Sequence, residues 1–138
     1  MRCYIGGTFD LFHVGHVNLF RLAKHKFGHV IVSLNTDEFC GRYKRKPVMS
    51  FEERMAPILA CRYVDEVTVN DGCEDSKPAI LRTKPDVIVH GDDWQGPALM
   101  AQMGLAEEFL RQNDISMFYM PYTRDISTTD IINRIKGI

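Results

Sequence analysis

The chain has 138 residues, of which 45% are hydrophobic and 25% are charged, and its formal net charge is −1. This size and composition suit one globular domain over residues 1–138, with a hydrophobic core of its own. The near-neutral charge argues against binding to nucleic acid or to a membrane surface, so an anion site must come from a local cluster of basic side chains. The four cysteines form no Cys-x-x-Cys pair. With no signal peptide and no apolar run long enough for a bilayer, the sequence predicts a cytoplasmic protein in a reducing compartment.

Apolar runs alternate with helical patterns along the whole chain. The β-branched run Val30 to Leu34 is typical of a strand that is buried on both faces of a parallel sheet. Strands are predicted over residues 3–5, 30–34, 64–69, 86–90 and 115–120. Helices are predicted over 16–26, after the capping box at Ser50, after Ser76, over 99–112 with an interruption at Gly104, and after Ser127. This alternation predicts a single-domain, Rossmann-like α/β fold with a doubly wound parallel five-stranded sheet.

The loop after the first strand carries two histidines, His13 and His16, three residues apart. Its glycines permit a tight turn, and a helix that begins near Val14 directs its free N–H groups toward the turn. Residues i and i+3 share a helix face, so both histidines are expected to face one ligand. A phosphate site is therefore predicted. The alternatives on spacing alone are an ordinary histidine pair, or half of a metal site to which Asp10 is the only other nearby contributor.

The loop after the fifth strand is a second candidate phosphate site. Ser127, Thr128 and Thr129 offer hydroxyl and N–H groups at a helix N-terminus, and Arg124 adds a positive charge. A plain N-cap explains the same residues. Ligands of open parallel sheets bind beyond the carboxyl ends of the strands. Two helix N-termini meeting there favour a triphosphate.

Basic side chains supply the remaining phosphate candidates. Lys44, Arg45 and Lys46 follow the second strand and can neutralise transferring phosphates, although an exposed basic surface is the alternative. Arg54 and Arg62 are eight residues apart and are expected to share a helix face, with salt bridges to acidic neighbours as the alternative.

Lys77 and the loop after the fourth strand are candidates on the substrate side. Lys77 begins a helix, where a cation is unfavourable unless it serves a ligand phosphate. Asp93 can accept a hydrogen bond from substrate or reach Mg²⁺, and Trp94 can form a pocket wall. The alternative for that loop is a turn with one buried aromatic ring.

These segments resemble those of the cytidylyltransferases in the nucleotidylyltransferase superfamily. His13-Val14-Gly15-His16 matches the family's H-x-G-H motif, and residues 122–129 resemble its R-T-x-G-I-S-T-T signature. Residues 35–39 and 62–67 also match family segments, and residues 91–94 are most similar to the bacterial glycerol-3-phosphate cytidylyltransferases. Two positions depart from the pattern: Tyr122 replaces the leading arginine, and Asp125 replaces the glycine.

The resemblance implies transfer of CMP from CTP to a small alcohol phosphate, with glycerol 3-phosphate favoured, to give CDP-glycerol and pyrophosphate. It implies Mg²⁺ bound with CTP, no metal held by the protein alone, and a homodimer. The alternatives are another polyol or headgroup phosphate as acceptor, an adenylyltransferase of the same superfamily, and a non-catalytic nucleotide-binding module.

The resemblance also assigns roles to individual residues. The catalytic set is His13, His16, Lys44, Arg45 and Lys46. The nucleotide-binding set adds Gly7, Thr8, Phe9, Gly15, Arg54, Asp93, Tyr122, Thr123, Arg124, Ile126, Ser127, Thr128 and Thr129. The acceptor set is Lys44, Arg62, Lys77 and Trp94.

Overall fold

The computed structural model describes residues 1–39, 46–91, 97–121 and 123–138. Its strands are β1 (Arg2–Gly7), β2 (His29–Asn35), β3 (Glu66–Asn70), β4 (Val87–Gly91) and β5 (Ser116–Met120). They form one five-stranded sheet in the order β3-β2-β1-β4-β5, and every neighbouring pair is parallel. The predicted parallel sheet is confirmed. Because the chain leaves β1 toward β2 and later returns to β4, a crevice opens between the carboxyl ends of β1 and β4.

Helices cover both faces of this sheet. In the described ranges they are α1 (Val14–Phe27), α2 (Phe51–Ala60), α3 (Lys77–Thr83), α4 (Pro97–Gln102), α5 (Glu107–Gln112) and α6 (Thr128–Lys136). Successive residues of β1 point to opposite faces, so Cys3 and Ile5 pack with α1 and α2, while Tyr4 packs with α3 and α5. None of the helices in these ranges is long and apolar enough to span a membrane.

The predicted interruption at Gly104 is confirmed, and it divides the helix predicted over 99–112 into α4 and α5. Gly104 lies between them with φ +71°, a left-handed conformation that ends a helix and that glycine adopts at little cost. The turn packs against the loop before α3, where the Ser76 amide donates to the Met103 carbonyl at 2.8 Å. Tertiary contact with a distant loop thus accompanies the break.

Candidate active site

A cavity of about 190 Å³ lies between the loops that follow β1 and β5. One wall carries His13, Gly15 and His16 at the start of α1. The opposite wall carries Thr123, Ile126, Ser127 and Thr128 at the start of α6. The two segments are more than 100 residues apart in sequence, and the parallel sheet brings them together because both follow strand carboxyl ends.

His13 and His16 form a stacked pair at the N-terminus of α1, with ring centroids 3.7 Å apart. His13 is the N-cap, and its Nδ1 accepts a hydrogen bond from the Gly15 amide at 3.1 Å. Nδ1 of His16 accepts from the His13 amide at 3.3 Å. An Nδ1 that accepts a hydrogen bond carries no proton, so each neutral ring is protonated at Nε2. The pair therefore offers two N–H donors beside the cavity.

Burial keeps both rings uncharged at neutral pH. The pKa of His16 is lowered to about 3, mainly by burial and to a smaller extent by the positive charge that His13 can carry. Burial also lowers the pKa of His13. Phe9 and Phe12 pack on His16 at centroid distances of 5.3 and 5.7 Å and hold its ring in place. The pair is suited to donating hydrogen bonds to phosphate oxygens and not to carrying a permanent positive charge.

Gly15 makes room for the His13 ring. A Cβ at this position would lie 2.9 Å from Cε1 of His13 and 3.4 Å from Cγ2 of Ile126. Separations below about 3 Å are essentially never seen for a real Cβ, so only glycine lets the His13 imidazole cover the start of α1. This is the physical reason for the glycine of the His-x-Gly-His motif in this chain.

The loop that presents the histidines is held by Asp10. The buried carboxylate of Asp10 accepts hydrogen bonds from the amides of Val48 and Met49 at 2.8 and 3.0 Å. Its backbone carbonyl accepts from Oγ1 of Thr128 at 2.9 Å, which links this loop to α6. No group of three potential metal-binding side chains occurs within the described ranges. The structure therefore uses Asp10 as an anchor and gives no support to the metal half-site.

Arg54 is buried, with 0% of its surface exposed, and supports the loops of the site from the protein interior. Its guanidinium donates to the carbonyls of Thr8 at 2.8 Å and Asn35 at 3.0 Å, and to the carboxylate of Asp37 at 2.7 Å. The hydrogen bond from Arg54 lowers the pKa of Asp37. These contacts tie the ends of β1 and β2 together. Arg54 therefore supports the loops, and its partner is Asp37, not the acidic neighbours considered from the sequence.

Arg62 does not share a helix face with Arg54, because α2 ends at Ala60. It is exposed and precedes β3, and its guanidinium lies over the ring of Tyr63 at 5.3 Å. The segment before a parallel strand lies at the amino edge of the sheet, opposite the histidines. Arg62 therefore lies at the edge of the sheet opposite the histidines of its own chain, and its contact with the acceptor stays a prediction.

Lys77 lies at the carboxyl edge of the sheet but is already paired. Its ammonium group lies 2.9 Å from Asp75 Oδ1 and donates to the Gly104 carbonyl at 2.8 Å. These partners explain why a cation is tolerated at the start of α3. A ligand phosphate is not needed to account for its position.

The loop before α6 supplies backbone groups more than hydroxyls. Ser127 is the N-cap of α6, and its Oγ accepts from the Asp130 amide at 3.0 Å. Thr123 Oγ1 accepts from the Asn18 side chain at 3.3 Å. Arg124 and Thr129 are exposed. The first amide groups of a helix have no partner within it, so these N–H groups are the main hydrogen-bond donors that this loop provides to an anion.

Asp125 stands in the left-handed region at φ +64°. This is the position at which the signature has glycine, and the backbone conformation gives the reason for that preference. Aspartate adopts it more readily than most residues do. The substitution thus keeps the turn but places a carboxylate near the start of α6.

Several predicted residues cannot be placed in the site. Lys46 is exposed at the beginning of a described segment. Five others lie outside the described residues: Lys44, Arg45, Asp93, Trp94 and Tyr122.

A second cavity, of about 180 Å³, lies at the carboxyl ends of β1, β2, β3 and β4. Its polar lining includes Asn35, Asn70, Ser76 and His90, none of which was predicted from the sequence as a site residue. Asn35 ends β2, Asn70 ends β3 and His90 is the penultimate residue of β4. Polar residues at strand carboxyl ends were the signal that could have identified them.

Comparison with known proteins agrees with this geometry. A model of the family described as Cytidylyltransferase-like matches residues 4–134. The glycerol-3-phosphate cytidylyltransferase of Bacillus subtilis is 37% identical, over 96% of this chain and 95% of that protein. The FAD synthase of Pyrococcus abyssi is 33% identical, over 100% and 94%. The ethanolamine-phosphate cytidylyltransferase of Dictyostelium discoideum is 30% identical, over 96% of this chain but 37% of that protein.

A solved structure supports the fold. The lipopolysaccharide core biosynthesis protein from Thermoplasma volcanium superposes with a TM-score of 0.69 at 21% identity, covering 89% of this chain and 98% of that one. The family match spans nearly all of the sheet and both loops around the histidine cavity. The chain therefore belongs to the cytidylyltransferase-like family.

Proposed function

We propose that this protein transfers CMP from CTP to a small alcohol phosphate, with glycerol 3-phosphate as the favoured acceptor, and releases pyrophosphate. The observation that carries the proposal is the neutral His13–His16 pair facing the N-terminus of α6 across one cavity. Relatives named glycerol-3-phosphate cytidylyltransferase match at 33–37% identity over about nine-tenths or more of both chains. They support both the reaction class and the acceptor.

The reaction is a substitution at the α-phosphorus of CTP. An oxygen of the acceptor phosphate forms a bond to this phosphorus, and the bond to the bridging oxygen of the β-phosphate breaks. The electron pair leaves with pyrophosphate. A phosphate monoester has a second pKa of about 6, so the nucleophile is already anionic at neutral pH and requires no protein base. Catalysis then consists of positioning the reactants and stabilising charge.

The histidine pair performs the central part of this work. Nε2–H of His13 and of His16 would donate to oxygens around the α-phosphorus, where negative charge becomes concentrated. Fixed donors in a largely dry site stabilise such charge without having to reorganise during the reaction. The amide groups at residues 127–129 would hold the β- and γ-phosphates at the N-terminus of α6. No cysteine lines the described part of this cavity, which suits direct transfer without a covalent intermediate.

Other residues are proposed to complete the substrate contacts. The backbone of Gly7, Thr8 and Phe9 would approach the nucleotide. A basic side chain among Lys44, Arg45 and Lys46 would neutralise charge on the entering or leaving phosphate. Asp93 and Tyr122 are proposed on the nucleotide side, and Trp94 is proposed as a wall of the acceptor site.

We propose that Mg²⁺ enters as part of the substrate, MgCTP. Both carboxylate oxygens of Asp10 accept backbone N–H groups, and the described ranges contain no metal-binding cluster. The described residues thus provide no resident site for the ion, while triphosphate oxygens and water satisfy its octahedral geometry. When bound, Mg²⁺ neutralises charge on the triphosphate.

Two alternatives have specific support. The archaeal FAD synthases match at 33–35% identity over 94% of their length, so ATP is a reasonable competing donor. Tyr122 and Asp125 depart from the family signature, which is the basis for a nucleotide-binding module without activity. Both alternatives differ from cytidylyl transfer in a measurable product.

The deciding experiment measures pyrophosphate release with Mg²⁺. CTP and ATP are each combined with glycerol 3-phosphate, other polyol phosphates, phosphocholine, phosphoethanolamine and FMN. We expect release with CTP and glycerol 3-phosphate, and a loss of about 100-fold or more in His16→Ala. His25→Ala is the matched control, because His25 is exposed near the other end of α1. Release with ATP and FMN would establish adenylyl transfer, and CTP binding without any release would establish the inactive module.

We also propose that the protein is a cytoplasmic homodimer. Leu59 is 62% exposed near the end of α2 and precedes the family segment that begins at Arg62, which suits an interface with a second copy. The free cysteines Cys3, Cys61 and Cys73 suit a reducing compartment. Sedimentation velocity would show a dimer for the natural chain and a monomer for Leu59→Glu. A monomer for the natural chain at micromolar concentration would contradict the proposed assembly.

A further inference from the structure

The second cavity lies at the same carboxyl edge of the sheet as the histidine cavity and is suited to the acceptor. His90 lines the second cavity, and the next residue, Gly91, lines the first. Gly7 and Thr8 lie on its wall and lead directly into the loop that ends at His13. A molecule bound there can place a phosphate group against the histidine pair, while its other end stays in the second cavity.

The lining of the second cavity favours hydroxyl groups. Its polar side chains in the described ranges are neutral or weakly basic, and none is a carboxylate, a lysine or an arginine. An ammonium group buried without a carboxylate is costly, and a trimethylammonium group is usually held by several aromatic faces. Phe39 is the one aromatic ring other than His90 among the described lining residues. The described part of the lining therefore suits the hydroxyl groups of a polyol phosphate better than a choline or ethanolamine headgroup.

Asn70 supplies an unused hydrogen-bond acceptor in this lining. The residue is buried, with 5% of its surface exposed. Its Nδ2 donates to Oδ1 of Asn35 at 2.9 Å and to the Cys73 carbonyl at 3.1 Å. These two acceptors fix the orientation of the amide, because a flipped amide would set oxygen against oxygen. Its Oδ1 is fully buried and has no hydrogen-bond partner among the described residues, so a bound hydroxyl reaches it only by displacing a neighbouring group of the lining.

We propose that Asn70 determines acceptor specificity by accepting, through Oδ1, a hydrogen bond from a hydroxyl of the alcohol phosphate. The inference rests on the proposed function and adds to it the residue and the substrate group that set specificity. A buried carbonyl oxygen without a partner is unfavourable, and a hydroxyl bound in the cavity relieves that cost. Acceptors that lack this hydroxyl leave the oxygen unpaired and are rejected.

The test crosses one variant with substrates that each lack one hydroxyl. Pyrophosphate release with CTP is measured for glycerol 3-phosphate, 3-hydroxypropyl phosphate and 2-hydroxypropyl phosphate. We expect kcat/KM of the natural protein to fall about tenfold or more for one of the two analogues. Asn70→Leu removes the acceptor at similar volume. The kcat/KM of this variant for glycerol 3-phosphate is expected to fall by about the same factor, so that it equals the value for that analogue. The KM of the variant for CTP should not change.

The outcomes distinguish failure of the proposed function from failure of the inference about Asn70. No release by the natural protein with any acceptor would overturn the proposed function and this inference together. Equal use of all three acceptors by the natural protein would overturn the inference alone, and this arm does not depend on whether Asn70→Leu folds. Unchanged discrimination in Asn70→Leu would also overturn it. Asn133→Leu, at an exposed position of α6, is the matched control and should behave like the natural protein.

A labelling measurement on the natural protein tests the place of binding. Cys73 lines the second cavity and is partly exposed, whereas Cys61 is partly exposed at the amino edge of the sheet. With a non-hydrolysable CTP analogue present, glycerol 3-phosphate should slow alkylation of Cys73 severalfold and leave Cys61 unchanged. Equal labelling of Cys73 with and without glycerol 3-phosphate would place the acceptor elsewhere and overturn the proposal.

Discussion

At the scale of single residues, the position of the His13 ring depends on the missing side chain of Gly15. Gly15→Ala places a Cβ 2.9 Å from the His13 ring, which is the movable end of a side chain, so the ring shifts and the fold survives. We expect kcat to fall about 100-fold, as when one preorganised donor is lost. The thermal unfolding midpoint should change little. Pyrophosphate release and thermal melting measure the two effects.

Gly137→Ala is the control for this substitution, because a Cβ there lies at least 3.6 Å from other atoms. It should be neutral in both measurements. Full activity in Gly15→Ala would show that the reaction does not require His13 above the helix start.

Acid should destabilise the protein through His16. The folded chain holds the pKa of His16 at about 3, below the ordinary 6.5 of the unfolded chain. The unfolded state therefore takes up the proton first, and stability falls as the pH decreases from 6.5 toward 3. His16→Gln removes this titration. We expect the urea midpoint of the natural protein to fall more steeply than that of His16→Gln between about pH 7 and pH 4. Parallel profiles would mean that His16 protonates normally when folded.

At the scale of elements, Arg54 joins α2 to the ends of β1 and β2. Arg54→Met leaves the carbonyls of Thr8 and Asn35 without their charged donor, and the carboxylate of Asp37 without its partner. We expect the free energy of unfolding to fall by about 3 kcal/mol, as when one partner of a buried charged network is removed.

Arg54→Lys tests whether charge alone suffices. One ammonium group cannot reach the acceptors that a planar guanidinium spans, so most of the loss should remain. Urea unfolding measures both variants. Natural stability in Arg54→Lys would contradict the bracing role.

In the turn before α6, Asp125 has a left-handed backbone conformation whose strain a glycine would relieve. Asp125→Gly suits φ +64° and removes a negative charge near the helix N-terminus. We expect little net change in stability, because the relief of backbone strain is offset by the loss of a carboxylate that the helix N-terminus favours, and we expect a lower KM for CTP. Asp125→Asn removes the charge but keeps a side chain, so a fall in KM shared by both variants comes from the charge. A rise in KM in both would show that the carboxylate aids nucleotide binding.

At the scale of the whole molecule, nucleotide binding should raise the stability of the entire fold. Both walls of the histidine cavity exist only when β1 and β5 lie in one sheet, so the ligand binds the folded state alone. At a concentration 100 times Kd, this contributes about 2.7 kcal/mol. We expect MgCTP to raise the thermal midpoint by several degrees and MgATP to raise it less. A larger shift with ATP would favour adenylyl transfer.

Local patterns predicted much of this architecture. The period of apolar residues identified the five strands, and the capping residues Ser50 and Ser127 marked helix starts that the structure confirms. The His-x-Gly-His spacing indicated a donor pair beside a helix N-terminus. These features follow from interactions within a few residues, which a sequence displays directly.

Contacts between distant segments accounted for what the patterns missed. Arg54 pairs with Asp37 because β1, β2 and α2 converge. The unpaired oxygen of Asn70 follows from its side chain being held by Asn35 on the neighbouring strand. Strand type, helix caps and the phosphate motif are local properties of this chain. Which buried polar groups are satisfied and which remain unpaired depends on neighbours that only the folded sheet brings within hydrogen-bonding distance.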